Sequence, residues 1–178
     1  IMKLVLRKKV EKRCNKYGFI DEVHRIENFE EEDLKPENLS GCASYYINYH
    51  CRLCIPIENS IIIAQVKAIN QELILAINGP IMIFIPKDNV DTHTWDVTDK
   101  FLNRKDKTNL KINNFIKLEV INKRVNQGDH QIKVIGKILD YATEDEVDKY
   151  FGSIINKEEE AQEGDEPPNK EEENNFII

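Results

Sequence analysis

Residues 61–86 (IIIAQVKAINQELILAINGPIMIFIP) constrain the fold more than any other stretch. Ile62, Ala64, Val66 and Ala68 share one side of an extended segment, and Gln65 and Lys67 lie on the other. This is the period-two pattern of a half-buried strand. Asn70-Gln71-Glu72 interrupts the run, and Leu73–Ile77 resumes it. Asn78-Gly79-Pro80 then predicts a tight corner, because glycine tolerates positive φ and proline fixes its own. Ile81–Ile85 is a third β-rich run, closed by Pro86. A three-stranded meander of this kind starts a small barrel.

Upstream, residues 1–13 mix β-branched and basic side chains and read as the end of a helix running into a strand. Tyr17–Ile26 predicts a strand entered through a turn at Asn15-Lys16, and residues 27–41 a loop. The cleanest alternation follows. Tyr45, Ile47, Tyr49, Cys51, Leu53 and Ile55 fall on one face and Tyr46, Asn48, His50 and Arg52 on the other, which predicts a long strand with one buried side. Pro56 ends it. The first residue is Ile, followed by Met2, so upstream residues are expected to be missing from the sequence or replaced by a remnant.

Downstream of the meander, residues 87–113 are polar and poor in strand signal, too long for a bare connection, and predict a mobile insertion. Phe115–Val125 and Gln131–Leu139 read as two further strands joined at Asn126-Gln127-Gly128-Asp129, a hairpin signal. Thr143, with Glu146 three residues on, forms a capping-box pattern ahead of an apolar helical stripe of Val147, Tyr150, Phe151 and Ile154. Strand, strand, strand, insertion, strand, strand is the order of a five-stranded OB-type barrel, an architecture that binds single-stranded nucleic acid. The fold class is therefore α+β, mostly β, with three segments. An N-terminal domain of antiparallel sheet and helix spans 1–56, a barrel spans 57–155, and an acidic tail spans 156–178.

The formal charge of −7 belongs to that tail, where nine carboxylates face only Lys157 and Lys170; the rest is balanced. Such a segment has too little apolar surface to offset its ordering entropy and is expected to be disordered. It reads as a solubilising extension, against the alternatives of a nucleic-acid mimic and a partner-binding segment. No apolar run is long enough to cross a bilayer. Four cysteines without a secretory leader predict reduced thiols. Cys51 and Cys54 stand three apart on a strand, so their side chains point to opposite faces and do not readily share a metal. The four histidines have no ligand or triad spacing, and neither cofactor nor catalytic residues are expected.

The order and spacing of several segments carry a family resemblance. They are V10-E-K-R-C14 followed by Y17-G-F-I20, the strand ending C51-R-L-C-I-P56, the meander A76-I-N-G-P-I-M-I-F-I85, and I138-L-D with K149-Y-F-G-S-I154. Over about residues 4–155 the chain resembles the larger stalk subunit of multisubunit DNA-directed RNA polymerases. That family includes the seventh subunit of eukaryotic RNA polymerase II and its counterpart in the archaeal enzyme. The resemblance implies a non-enzymatic accessory subunit with a tip domain that docks on the large core subunits. It further implies a barrel that touches nascent single-stranded RNA, and a small helical partner subunit. The family's tip loop corresponds to Cys14, Asn15, Lys16, Tyr17, Gly18 and Phe19, the expected docking residues. Asn15-Lys16 is one residue shorter than the eukaryotic loop, Glu58-Asn59-Ser60 replaces a Gly-Glu pair, and Ala64 replaces a common glycine. The family's first strand and most of its tip helix are absent from this sequence. An Ile/Asn/Lys-heavy composition fits an A+T-rich genome such as that of a large DNA virus or a protist. The implied location is the nucleus or, for a viral chain, a virion or cytoplasmic factory.

Phosphate contact needs long cations on an exposed face, and base stacking needs an exposed ring. The RNA-contact candidates are Lys67, Lys87, Lys123, Arg124, His130 and Lys133, with Lys117 and Lys137 on neighbouring strand positions. Trp95, His93 and His130 are the candidate stacking rings. The other readings are a free-standing OB-type RNA-binding protein of translation or RNA metabolism and a structural adaptor whose barrel binds protein. Residues 10–56 separate the first from the others, since a free RNA binder has no need of a tip domain.

Overall fold

The computed structural model describes residues 2–31, 45–96, 101–105 and 107–152. The expected loop at 32–41, Cys42, Ile154 and the acidic tail lie outside them. Helix α1 (Met2–Val10) leads into β1 (Arg13–Cys14), β2 (Phe19–Glu31) and β3 (Tyr45–Cys54), which form an antiparallel sheet in the order β1-β2-β3. Residues 27–31, expected as loop, continue β2 and pair with β3 up to Glu31 opposite Tyr45.

β2 carries three register shifts, one residue each at Asp21, His24 and Glu27. Each bulge places two residues opposite one and increases the local twist. The bulge at Asp21 explains why Ile20 and Val23 are both buried although they stand three apart. α1 docks on this irregular strand through charge, and it buries no residue of its own. Arg7 donates to the Val23 carbonyl at 3.0 Å from Nη2 and to Glu22 at 2.7 Å, while Glu11 accepts from the Val23 N–H at 2.7 Å. Both backbone groups beside the second bulge are thereby satisfied.

The expected buried side of β3 is corrected. Ile47, Tyr49 and Cys51 are half-buried, but Tyr45, Leu53 and Ile55 are exposed and no residue of the strand is fully buried. Alternation marks a strand; it does not say how much lies above each face.

The barrel closes as drawn from the sequence. β4 (Ile61–Ile69), β5 (Leu73–Asn78), β6 (Ile81–Pro86), β10 (Phe115–Arg124) and β11 (Ile132–Tyr141) form a closed cylinder in the order β10-β11-β6-β5-β4. β11 runs parallel to β6 and every other pair is antiparallel, the OB-type arrangement. Gly79, at φ 53, supplies the positive dihedral of the two-residue turn between Asn78 and Ile81. The interior is filled by alternate positions, with Ile74, Ile83, Ile85, Ile116, Leu118, Ile132 and Ile138 among the fully buried. A buried side chain of this size stabilises the fold by about 1.5–3 kcal/mol. Gly136 makes room in this packing, since a Cβ there would stand 3.0 Å from Ile83 and 3.1 Å from Leu118.

Ala68, expected inside with Ile62, Ala64 and Val66, is exposed. An extra residue, Lys67, interrupts the register between Val66 and Ala68 and turns the next side chain outward.

The insertion is anchored through its described residues. A 3-10 turn (Lys87–Asn89) and three two-residue strands, β7 (Trp95–Asp96), β8 (Leu102–Asn103) and β9 (Thr108–Asn109), make a small sheet. Trp95, Phe101, Asn103 and Leu110 are buried. Trp95 packs on Tyr141 with ring centroids 5.2 Å apart, and its Nε1 reaches towards the Leu139 carbonyl at 3.5 Å. Leu139 is the extra residue of a β11 register shift, so its carbonyl is released from the ladder towards the indole. Trp95 is therefore a core residue, which corrects its expected role as an exposed stacking ring. The Asn103 amide donates to Asp140 at 3.1 Å, and the Lys105 ammonium pairs with the same carboxylate.

Ile1–Thr143 form one compact unit, and a second begins at Glu144. In the second, residues 144–152 are helical, as the capping pattern predicts, with Val147, Tyr150 and Phe151 half-buried. No helix among the described residues is long and apolar enough to cross a membrane.

Candidate functional site

The tip loop is built by its own short-range bonds. The Asn15 side-chain oxygen accepts from the N–H groups of Tyr17 (2.8 Å) and Gly18 (3.0 Å), and the Asn15 N–H donates to the Gly18 carbonyl at 2.8 Å. This Asx turn presents Lys16 and Tyr17 outward, with the Lys16 ammonium 4.7 Å from the centre of the Tyr17 ring. Of the six expected docking residues, Cys14, Gly18 and Phe19 are buried and shape the loop from beneath. Only Asn15, Lys16 and Tyr17 are available to a partner. Leu53 and Ile55 flank Gly18 and are exposed, which adds apolar surface beside the loop. Sequence reasoning missed this pair because its alternation reads as core.

Tip and barrel share a bonded seam. The Cys14 N–H donates to the Asp129 carbonyl at 2.7 Å, and the Gly128 N–H donates to the Cys14 carbonyl at 2.8 Å. The hairpin between β10 and β11 thus continues the tip sheet beyond β1. His130 Nδ1 lies 2.9 Å from the Lys12 carbonyl, which can only accept, so that nitrogen carries its proton. Lys123 Nζ donates to the Pro56 carbonyl at 2.9 Å, tying the barrel to the linker. Two of the six RNA candidates are therefore engaged in joining the halves.

The remaining four fall into two groups. Arg124 and Lys133 face each other across the β10–β11 ladder and are exposed. They flank Asp129, whose carboxyl is held below its usual pKa by hydrogen bonds from Asn126 and Lys133 and by the nearby charges. Lys67 and Lys87 lie towards the other end of the cylinder. Lys133 is opposite Met82 at the start of β6, whereas Lys87 follows Pro86 at its end. The strand spans roughly 15–20 Å between them. Lys67 Nζ donates to Gln65 at 2.6 Å, and Lys87 is half-buried. Arg13 stands near the hairpin through its neighbours in the chain. It is exposed on β1, between two residues whose backbones bond the hairpin. Nothing in the sequence near Arg13 announces that proximity. His93 and His130 remain exposed.

Asp21, the first bulged residue of β2, joins the elements of the tip. It accepts from Arg52 Nε at 2.8 Å and also pairs with Lys12. Burial pushes its pKa up, but the hydrogen bonds and charges of Lys12 and Arg52 outweigh burial and hold the carboxyl below its usual value. A carboxyl with its folded pKa depressed stabilises the fold above the unfolded value of about 3.9, and that contribution is lost as pH falls through the folded pKa. Asp21→Asn is expected to cost about 1–2 kcal/mol at neutral pH. It is also expected to reduce the fall in unfolding midpoint between neutral pH and pH ~3. Thermal melts of both proteins across that range check it.

The thiols of Cys14, Cys51 and Cys54 are free, and burial raises the pKa of each. Raised thiol pKa values disfavour the nucleophilic thiolate. Among the described residues, no three His, Cys, Asp or Glu side chains gather in a way that would hold a metal ion.

No family model matches the sequence. A protein of Acanthamoeba polyphaga mimivirus, provisionally named a DNA-directed RNA polymerase subunit, is 32% identical over 146 residues, covering 82% of this chain and 73% of the relative. That match spans the greater part of both chains. The chain belongs to the DNA-directed RNA polymerase subunit family of that viral protein.

Proposed function

We propose that this chain is the non-catalytic stalk subunit of its polymerase. The tip loop inserts into the large core subunits through Lys16 and Tyr17, backed by Leu53 and Ile55. A small helical subunit completes the stalk, and the barrel meets single-stranded RNA as it leaves the enzyme. The observation that carries this reading is the seam. Backbone bonds from Cys14 to Gly128 and Asp129 join the N-terminal sheet to the barrel hairpin within one compact unit, which supports a docking loop and an RNA-contacting barrel acting as parts of one subunit. The work site is the nucleus or, in a viral infection, the factory or virion.

The chemistry of RNA contact follows from the cations left exposed. Arg124 and Lys133 offer phosphate contacts of the sequence-independent kind. Affinity capture of the tagged chain is expected to recover the two largest polymerase subunits and a small helical partner. Recovery of RNA alone would instead identify a free-standing RNA-binding protein, and recovery of proteins without RNA crosslinks would identify an adaptor. Substituting Arg124 and Lys133 together by glutamine is expected to lower the salt dependence of single-strand binding by about 1.4 in log–log slope, at ~0.7 for each phosphate no longer neutralised. Fluorescence anisotropy over a salt series measures it, and an unchanged slope removes these two residues from the RNA-binding face.

A further inference from the structure

Residues 3–16, which run through α1 and β1 into the tip loop, hold seven Lys or Arg against a single Glu. Two of those cations serve ion pairs within the tip. Arg7 lies 3.0 Å from Glu11 and 2.7 Å from Glu22, and Lys12 pairs with Asp21, which Arg52 also holds. Asp129, whose carbonyl takes the Cys14 N–H, has its carboxylate engaged by Asn126 and Lys133. The carboxylates of this corner are thus matched already. Lys8, Lys9 and Arg13 are exposed and make no ion pair among the described residues. Cations in the last turn of α1 complement the helix dipole, which gives Lys8 and Lys9 a structural role but leaves Arg13 without one. Between residues 7 and 14 no apolar side chain is exposed: Val10 is half-buried and Cys14 is buried. A protein interface has an apolar, charge-poor centre, and this surface has none. Its place in the fold is a second observation. The Lys12 carbonyl meets His130, and Cys14 bonds Gly128 and Asp129, so Arg13 stands between two residues tied to the β10–β11 hairpin. The strands of that hairpin carry Arg124 and Lys133.

We infer that this corner is a second phosphate-contact surface for single-stranded RNA, so that a strand held at Arg124 and Lys133 continues to Lys8, Lys9 and Arg13. The inference rests on the RNA-binding reading above and extends it from the barrel to the tip. Phosphate contact needs long, exposed cations that no carboxylate has neutralised, and it needs no aromatic ring. A flexible single strand can follow cations that come partly from a helix end and partly from a strand. Such contacts position the strand and carry no sequence preference.

The test uses the full chain and labelled oligo(U) in anisotropy titrations over a salt series. Substituting Lys8, Lys9 and Arg13 together by glutamine is expected to lower the log–log salt slope by about 2.1, at ~0.7 for each phosphate no longer neutralised. Arg13→Gln alone lowers it by about 0.7 and decides the matter if the triple variant fails to fold. Arg13→Lys keeps the slope. Lys107→Gln combined with Lys111→Gln removes two exposed cations of the insertion and leaves the slope unchanged. A wild-type chain that does not bind oligo(U) overturns the RNA reading and this inference with it. A slope lowered by the Arg124/Lys133 glutamine pair but unchanged in the corner variants overturns the corner alone. An equal fall per charge in the Lys107/Lys111 variant reports overall charge in place of a site, and overturns it as well. Corner variants that keep the slope but no longer capture the large polymerase subunits assign these cations to a protein and overturn the RNA contact.

Discussion

Trp95→Ala is expected to destabilise the chain by about 3–5 kcal/mol, the cost of emptying a fully buried aromatic site. For a protein of this size that is a drop of roughly 6–20 °C in unfolding midpoint. Trp95 fills the space between the insertion sheet and β11 and backs the Tyr141 ring. The variant therefore loosens the insertion as well as the barrel end. Trp95→Phe keeps a ring against Tyr141 and should lose markedly less. Trp95 is the sole tryptophan of the chain, so its fluorescence reports on this one place. Emission characteristic of a buried indole, shifting to the red on unfolding and not quenched by oligonucleotide, is the matching spectroscopic result. An alanine variant that melts with the parent but binds RNA poorly would return Trp95 to the surface as a stacking ring.

Gly18→Ala acts at the other end of the molecule. The added Cβ would lie 2.7 Å from the backbone carbonyl oxygen of Cys54, and backbone cannot step aside as a flexible side chain can. Either the Asx turn of residues 15–18 opens or β2 and β3 part at the Phe19–Cys54 pair. The cost is about 1–3 kcal/mol, a midpoint lowered by several degrees. Under the stalk reading the functional effect exceeds the thermodynamic one. Recovery of the large polymerase subunits should fall away while oligonucleotide binding by the barrel persists. Thermal melts and affinity capture of the same variant measure the two effects separately. Capture at wild-type level would show that the loop's shape is not what the core subunits recognise.

Much of the barrel was readable in the chain, because its strands alternate and its corners carry punctuation. Ile74, Ala76, Ile81, Ile83 and Ile85 are buried where period two puts them, and Asn78-Gly79-Pro80 turns where glycine and proline require. The helix at 144–152 begins where Thr143 and Glu146 mark it. Bulges defeated the finer reading. One extra residue at Lys67 exposes Ala68, and one at Asp21 buries Ile20 and Val23 together against simple alternation. The two-residue strands β7, β8 and β9 are too short to carry a period, so the insertion read as structureless and Trp95 as a surface ring.

Local pattern thus determined which segments extend, where they turn and in what order five of them close. That information is written in neighbouring side chains and needs no partner to be expressed. Which cations reach solvent was decided by tertiary contact alone. Lys123 and His130 were drawn to the carbonyls of Pro56 and Lys12, which leaves Lys123 half-buried and His130 engaged though still exposed. The physical reason is range. Strand formation depends on residues a few positions apart, whereas the fate of a long charged side chain depends on groups tens of residues away, which only the closed fold brings within a hydrogen bond's length.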